Sequence, residues 1–371
     1  MKKRVISILM AAMLAVTFCL LVGCNIFDRS GSPPPAPHLI SESQKESEPV
    51  RYIDSCEERA VVGSSFYERQ LSLTETVSDG YKPTFDETSA DAERVYLKAR
   101  EVLDRYILNS FTEYERVHAI HDYLAYYTEY DSELHDRFLS GEGVKNDLDA
   151  FNLAGVLLGG KAVCDGISKT FVLLCGMEGI KAARIEGEFV SSSGSGAHAW
   201  NKVRVDGKWY NVDITLDSAH LDINGKRSDC LHHGYFLISD EAISSAPFGG
   251  HRADPSYAAN PVNEDAPENY PVYENMTLTI DGENYSSLIT TVDELKAVFK
   301  ATRKSGRKNI GKLELKIAIE GVAAGKLDSF DGIFKAAQSE LRGMDFTFAP
   351  EDGVRPFVQY PNGVLLILVY I

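Results

Sequence analysis

Cys164, His198 and Asp213 are the residues of this chain whose types and spacing could do covalent chemistry. A thiolate attacks a carbonyl carbon, an imidazole shuttles the proton, and a carboxylate fixes the imidazole's tautomer and steadies its charged form. Each lies in a short motif: Ala162-Val163-Cys164-Asp165-Gly166, Ala197-His198-Ala199-Trp200-Asn201, and Trp209-Tyr210-Asn211-Val212-Asp213. Chemistry depends on whether the surrounding residues bring the three together.

Two strand-like runs, 198–205 and 208–215, flank Asp206-Gly207, the dipeptide that favours a two-residue type I′ turn. That turn pairs Val205 with Lys208 and Val203 with Tyr210, and by extension Trp200 with Asp213 and His198 with Thr215. His198 and Asp213 then share one side, diagonally about 7–8 Å apart at the backbone. Val203, Val205, Tyr210, Val212 and Ile214 fall on the other side as a core face.

Cys164 is expected to open a helix. Gly159-Gly160 breaks the preceding segment, Ile167, Phe171, Leu174 and Cys175 follow at helical spacing, and Gly176 and Gly179 can stop it. At a helix N-terminus the dipole and free amides favour a thiolate, and the same amides can serve as oxyanion donors. As a free cysteine alone it could equally be a small buried hydrophobe.

These segments resemble the core of the transglutaminase-like superfamily, where a cysteine opens a helix and His-Ala-Trp-Asn and Trp-Tyr-x-Val-Asp follow. Lys161 stands where glycine is common. Ile120-His121-Asp122-Tyr123-Leu124 and Thr128-Glu129-Tyr130-Asp131 are similar to the lead-in of bacterial members. The likeness spans roughly residues 90–250. It implies an α+β fold with a papain-like/transglutaminase-like core, in which the Cys164 helix packs on an antiparallel sheet. It also implies Cys164 as nucleophile, His198 as general base and acid, Asp213 as orienting residue, and no cofactor. The implied activity is a cysteine hydrolase of peptide or isopeptide bonds, or an acyltransferase, working through a thioester. Bacterial members are often protease-like, which favours hydrolysis, and the substrate is a protein or a cell-wall peptide. The alternative is a binding or assembly lipoprotein that uses the fold as an inactive scaffold.

Lys2-Lys3-Arg4, the apolar run Val5 to Val22 and Leu21-Val22-Gly23-Cys24 read as a lipoprotein signal peptide (1–23), with Cys24 lipidated. A transmembrane anchor of borderline length is the other reading. Residues 24–59 follow as a disordered tether, carrying Pro33-Pro34-Pro35 and little to bury. The expected location is the extracytoplasmic face of the membrane, held by the lipid anchor. The formal net charge is −16, and loss of the signal's three positive charges leaves −19. That balance argues against nucleic acid as a partner. Of six cysteines, Cys19 leaves with the signal. Lipidation of Cys24 and a free Cys164 argue against a disulfide framework, with a Cys56–Cys230 pair left open.

Two folded units are expected, at 60–252 and 273–371, joined by a proline- and asparagine-containing linker at 253–272. In the first, Val95, Ala99, Val102, Leu103 and Tyr106 mark one helix, and Val117, Ile120 and Leu124 another, started by a Thr112–Glu115 capping box. The second unit is small and α+β. It has strands near 276–280, 313–319 and 364–371, helices near 292–304 and 327–341, and no catalytic constellation.

His118 and His121 stand three apart on a helix, but with no third ligand in view they are assigned solvated or capping roles. Asp222, Asn224 and Asp229 resemble a calcium loop only faintly, so no metal is expected. His232 and His233 receive no role, and His251 is a weighed but unassigned candidate to line the cleft. Trp200 and Trp209 are candidates to wall a substrate groove or shield the ion pair, with simple packing as the alternative.

Overall fold

Helices open the folded part of the chain, three of them capped where side-chain oxygens are available to orphan amides. Phe66–Ser78 (α1) begins with a Ser65–Glu68 capping box and Glu113–Tyr127 (α3) with the expected Thr112–Glu115 box. Between them, Ala90–Tyr106 (α2) buries Val95, Ala99, Val102, Leu103 and Tyr106 on one face. Ser132–Leu139 (α4) is capped by the Asp131 carboxylate on the Leu134 amide. The computed structural model describes residues 50–141, 148–191, 194–218, 220–223, 226–229, 231–245, 250–254, 265–305, 312–318, 354–360 and 363–369.

Strands β1 (Glu58–Ala60) and β2 (Lys82–Thr84) pair in parallel, as do β3 (Glu129–Tyr130) and β4 (Lys161–Ala162). Next comes the central helix α5, Cys164–Met177, twelve of whose fourteen residues are buried. A helix apolar all round needs cover on every side. Helices α1 and α3 supply part of it, and strands β5 (Ala182–Ser191) and β6 (Gly194–Val205) supply the rest. The sheet is antiparallel throughout, in the order β10-β7-β6-β5-β11, with β7 at Lys208–Val212, β10 at Phe236–Ile238 and β11 at Gly250–Ala253. A four-residue helix, α6 (Ile214–Asp217), follows β7. The hairpin β8 (His220–Ile223) and β9 (Lys226–Asp229) lies between α6 and β10, and α7 (Asp240–Ser245) between β10 and β11. The fold is α+β, a helix packed on an antiparallel sheet.

The remaining chain has α8 (Val272–Asn275), the hairpin β12 (Thr277–Ile280) and β13 (Glu283–Ser286), β14 (Leu288–Ile289), α9 (Val292–Ser305), β15 (Lys312–Ile317), β16 (Val354–Tyr360) and β17 (Gly363–Val369). These last strands form a four-stranded sheet, β14-β15-β17-β16. Leu295, Val298 and Phe299 of α9 and Leu313, Leu315 and Ile317 of β15 are buried.

Two boundaries differ from expectation. Residues 50–59, placed in the tether, are folded: Ile53 is in the core. Buried Arg51 donates to Asp104 and the Ile107 carbonyl at 3.1 Å each and pairs with Glu178 at the end of α5. Of the expected linker, residues 265–272 dock on the sheet. Tyr270 stacks on Tyr114 at 4.8 Å, its amide bonds the Leu237 carbonyl, and Val272 joins the same core. The signal segment, Cys24, Asn224, Cys230, residues 255–264 and the helix expected at 327–341 lie outside the described residues. Among the described residues no helix is long and apolar enough to cross a membrane.

Candidate active site

The hairpin that was expected to carry the site has the predicted turn. Asp206 (φ 51°) and Gly207 (φ 84°) both take the left-handed backbone that a type I′ turn requires. Val205 pairs with Lys208, Val203 with Tyr210 and Asn201 with Val212. The strand stops earlier than expected, at Val212, because Asp213 turns the chain by capping α6: its Oδ1 accepts from the Leu216 amide at 3.2 Å. Oδ2 is thereby left to face β6, where His198 Nε2 lies 2.6 Å away.

Cys164 is the first residue of α5, and its side chain is 8% exposed. The backbone of residues 148–151 crosses the start of this helix so closely that a Cβ at position 166 would meet the Ala150 carbonyl oxygen at 2.4 Å. Glycine at position 166 is what permits that approach. The His198 ring lies close enough to the Cys164 thiol for each to act on the other's charge. With Nε2 committed to Asp213, Nδ1 is the nitrogen left for it. Burial alone would push His198 down, but the Asp213 charge and hydrogen bond, helped by Cys164, raise it to about 10. Burial opposes ionisation of Asp213 too, yet the two histidines beside it hold it well below the ordinary carboxylate range.

The second of those histidines is His251 of β11, whose Nε2 lies 2.7 Å from the same Oδ2. Sequence reasoning gave it no role; its partner is 38 residues away and no local pattern marks it. Tyr130, at the end of β3, was noted only as part of the lead-in. Its hydroxyl lies near enough to Cys164 to feel the charge of the thiol. Burial and the Cys164 charge push the phenol well above its usual range, so it keeps its proton. Trp200 is 3% exposed, nearly parallel to His198 (6.2 Å, 17°) and edge-on to His251 at 4.9 Å. It lies over the ion pair. Trp209, by contrast, pairs with Arg204 at the turn end of the hairpin. Six residues of strand separate Arg204 from His198, about 20 Å. The site does not include it.

Among the described residues, two clusters bring three potential metal-ligand atoms within 4.8 Å: His198, Asp213 and His251, and separately His118, Asp122 and His233. In the first, the N···O contacts are hydrogen-bond lengths converging on one oxygen, and a cation there would take the nitrogen that binds the carboxylate. In the second, the His118 and His233 rings stack face to face (4.6 Å, 15°), whereas ligands to a common ion direct in-plane lone pairs at it. His121 is therefore neither solvated nor a cap, being fully buried between Asp122 (2.9 Å) and Asp217 (3.1 Å), whereas His118 is partly exposed with its Nδ1 3.9 Å from Asp122. Asp217, the other carboxylate near the triad, points into this second cluster and not at His198.

Residues 100–214 match the sequence profile of the transglutaminase-like superfamily. The chain carries a transglutaminase-like core. The matched span includes Cys164, His198 and Asp213 and ends before His251. Mouse and human kyphoscoliosis peptidase are each 26% identical to this chain, over 169 and 151 residues. Those alignments cover 43% and 38% of this chain, and the chain spans under a quarter of either relative, 24% and 22%. Among solved structures, a TGase covers 42% of this chain and 33% of its own (22% identity, TM-score 0.28). A candidate cysteine protease from Cytophaga hutchinsonii covers 33% and 37% (21% identity, TM-score 0.24). Within the transglutaminase-like core the thiol, the imidazole and the carboxylate are contiguous.

Proposed function

We propose that the protein is a cysteine hydrolase of peptide or isopeptide bonds, tethered outside the cytoplasmic membrane by lipid on Cys24. The observation that carries this reading is the His198 ring, hydrogen-bonded to Asp213 at 2.6 Å and near enough to the Cys164 thiol to feel its charge. The Cys164 thiolate adds to the substrate carbonyl, and the oxyanion lies near amides of the first turn of α5, which have no partner within the helix. His198 passes its proton from Nδ1 to the leaving amine, leaving a thioester. Water then adds, giving its proton to His198, and the acid leaves as Cys164 regains its negative charge. Asp213 keeps the imidazole in the tautomer both steps need. Trp200 shields the ion pair from water, which strengthens it. The mouse and human relatives are named peptidases, which favours water over an amine as the acyl acceptor.

The test is iodoacetamide labelling near pH 7 with Cys56, partly exposed and free, as internal reference. Fast, selective alkylation of Cys164 is expected. A Cys164 no faster than Cys56 would overturn the reading in favour of an inactive scaffold. For the anchor, Cys24→Ala is expected to abolish lipid labelling; unchanged mass and membrane attachment would refute it.

A further inference from the structure

His251 is fully buried, and each of its ring nitrogens faces an oxygen. Nδ1 lies 3.1 Å from the Ile243 backbone carbonyl and Nε2 lies 2.7 Å from Asp213 Oδ2. A carbonyl oxygen has no proton to give, so Nδ1 must carry one. Asp213 already accepts from the Leu216 amide on Oδ1 and faces His198 Nε2 at 2.6 Å on Oδ2, an arrangement for an ionised acceptor, so the proton in the 2.7 Å contact belongs to His251 Nε2 as well. A neutral ring would set a lone pair against one of these oxygens. We propose, resting on the hydrolase reading, that His251 is a buried imidazolium that acts as a positioning residue, so that the site is a four-group Cys-His-Asp-His array.

Charge supports the same assignment. An ionised Cys164 with a protonated His198 and an ionised Asp213 leave one uncompensated negative charge in a buried place. A protonated His251 brings the four groups to neutrality. Other faces of the ring meet Phe189 (5.3 Å), Trp200 (4.9 Å) and Tyr235 (5.9 Å). From α7 it meets the Ile243 carbonyl; the Asp240 carboxylate on that helix is occupied by Lys202 and Asn211. Cys164 acts on it through His198, as does His135, whose ring lies near enough to His198 to feel its charge. Among the described residues, then, the carboxylate against His251 is Asp213.

Sharing Oδ2 has a consequence for turnover. His198 must hold a proton and then release it to the leaving amine, and an imidazole with sole claim on a buried carboxylate releases it reluctantly. A second cation, with ring centroids 5.4 Å apart, weakens that claim and favours the Cys164 thiolate. It does so without touching substrate.

The experiment combines histidine ¹⁵N NMR on the wild-type chain with the pH profile of Cys164 alkylation in wild type and His251→Gln. Gln still offers Asp213 an N–H but no charge. The expected results are an imidazolium signature for His251 across pH 5–8, and an alkylation profile displaced upward by about one pH unit in the variant. A neutral His251 signature, or a folded variant with an unmoved profile, overturns the proposal. If the variant fails to fold, the wild-type signature decides alone. A fast Cys164 beside a neutral His251 refutes this proposal only; a Cys164 no faster than Cys56 refutes the hydrolase reading whatever His251 shows.

Discussion

Among the described residues, imidazoles are buried against carboxylates in two places, and one of the two is built for covalent chemistry. In the first, His198 and His251 converge on Asp213 beside Cys164. In the second, His121 lies between Asp217 and Asp122, and His233 between Asp122 (2.9 Å) and Glu314 (3.1 Å), with the Tyr273 hydroxyl donating to Glu314 at 2.9 Å. His233 is raised to about 10, as His198 is, against the push of burial and for the same reason of flanking carboxylates. A displaced titration therefore does not separate the two. What separates them is the nucleophile at a helix start, absent from the second cluster. The second cluster instead ties α3 to β15, elements nearly two hundred residues apart. Helix α6 joins the two clusters, with Asp213 capping its start and Asp217 closing it.

The largest expected effect is at the sulfur. Cys164→Ala should cost at least about 10⁴-fold in turnover while moving the melting temperature little, because only the first cluster loses a group and that group is small. An inactive protein that has also lost several kcal/mol would make Cys164 a packing residue, since core truncations cost about 2–5 kcal/mol. Asp213→Asn comes next, at about 10²–10⁴-fold, because an amide cannot stabilise charged His198. Unlike Cys164→Ala it should also destabilise the fold, by about 3 kcal/mol, since it leaves buried cations without their partner. Asp217→Asn inverts the pattern. It removes a fully buried acceptor of the His121 ring and the Tyr235 amide, so stability falls while Cys164 alkylation persists. Denaturant melts beside alkylation rates distinguish the three.

Much of the first cluster was legible because its geometry is set locally. Asp206-Gly207 fixes the register by backbone preference alone, and Gly159-Gly160 and the apolar spacing after Cys164 mark the helix. Legibility stopped where a side chain's partner is distant. The β-branched run Val212–Thr215 reads as strand, yet Asp213 ends it by capping. His251 meets Asp213 across 38 residues, Arg51 meets Glu178 across 127, and Glu314 meets His233 across 81. Glu314 alternates with Leu313 and Leu315 and so reads as the wet side of a strand. It is buried because both sides of β15 are covered there. Asp217 lies beyond the hairpin, and its burial against the His121 ring and the Tyr235 amide depends on partners 96 and 18 residues away.

A smaller effect tests the inert thiol. Cys175, fully buried on α5, is pushed well above the usual thiol range by burial, with the Glu178 charge adding to it. It should resist iodoacetamide in the native state, and Cys175→Ser should cost about 1–3 kcal/mol by burying a hydroxyl, with Cys164 reactivity intact. Alkylation of Cys175 at a rate near that of Cys164 would erase the distinction between a thiol at a helix start and one within it.

The smallest effect is the pH dependence of stability, and it belongs mainly to the second cluster. His233 has a folded value of about 10 against an ordinary 6.5, so its interactions with Asp122 and Glu314 contribute fully below pH 6.5 and are lost as pH rises toward 10. His198 adds a slope of the same sign over the same window. His118 works the other way. Burial lowers it to about 4, despite the pull of Asp122, so protonating it costs stability as pH falls from 6.5 toward 4. The melting temperature should therefore peak near pH 6–7 and decline on both sides. Glu314→Gln should lower the peak and flatten its alkaline side, since His233 then has one carboxylate fewer to gain from. The alkaline slope that remains is shared by His198, His121 and the His233–Asp122 pair. An unchanged slope in Glu314→Gln, measured by scanning melts from pH 5 to 10, would mean that the two halves of the chain are not coupled through His233.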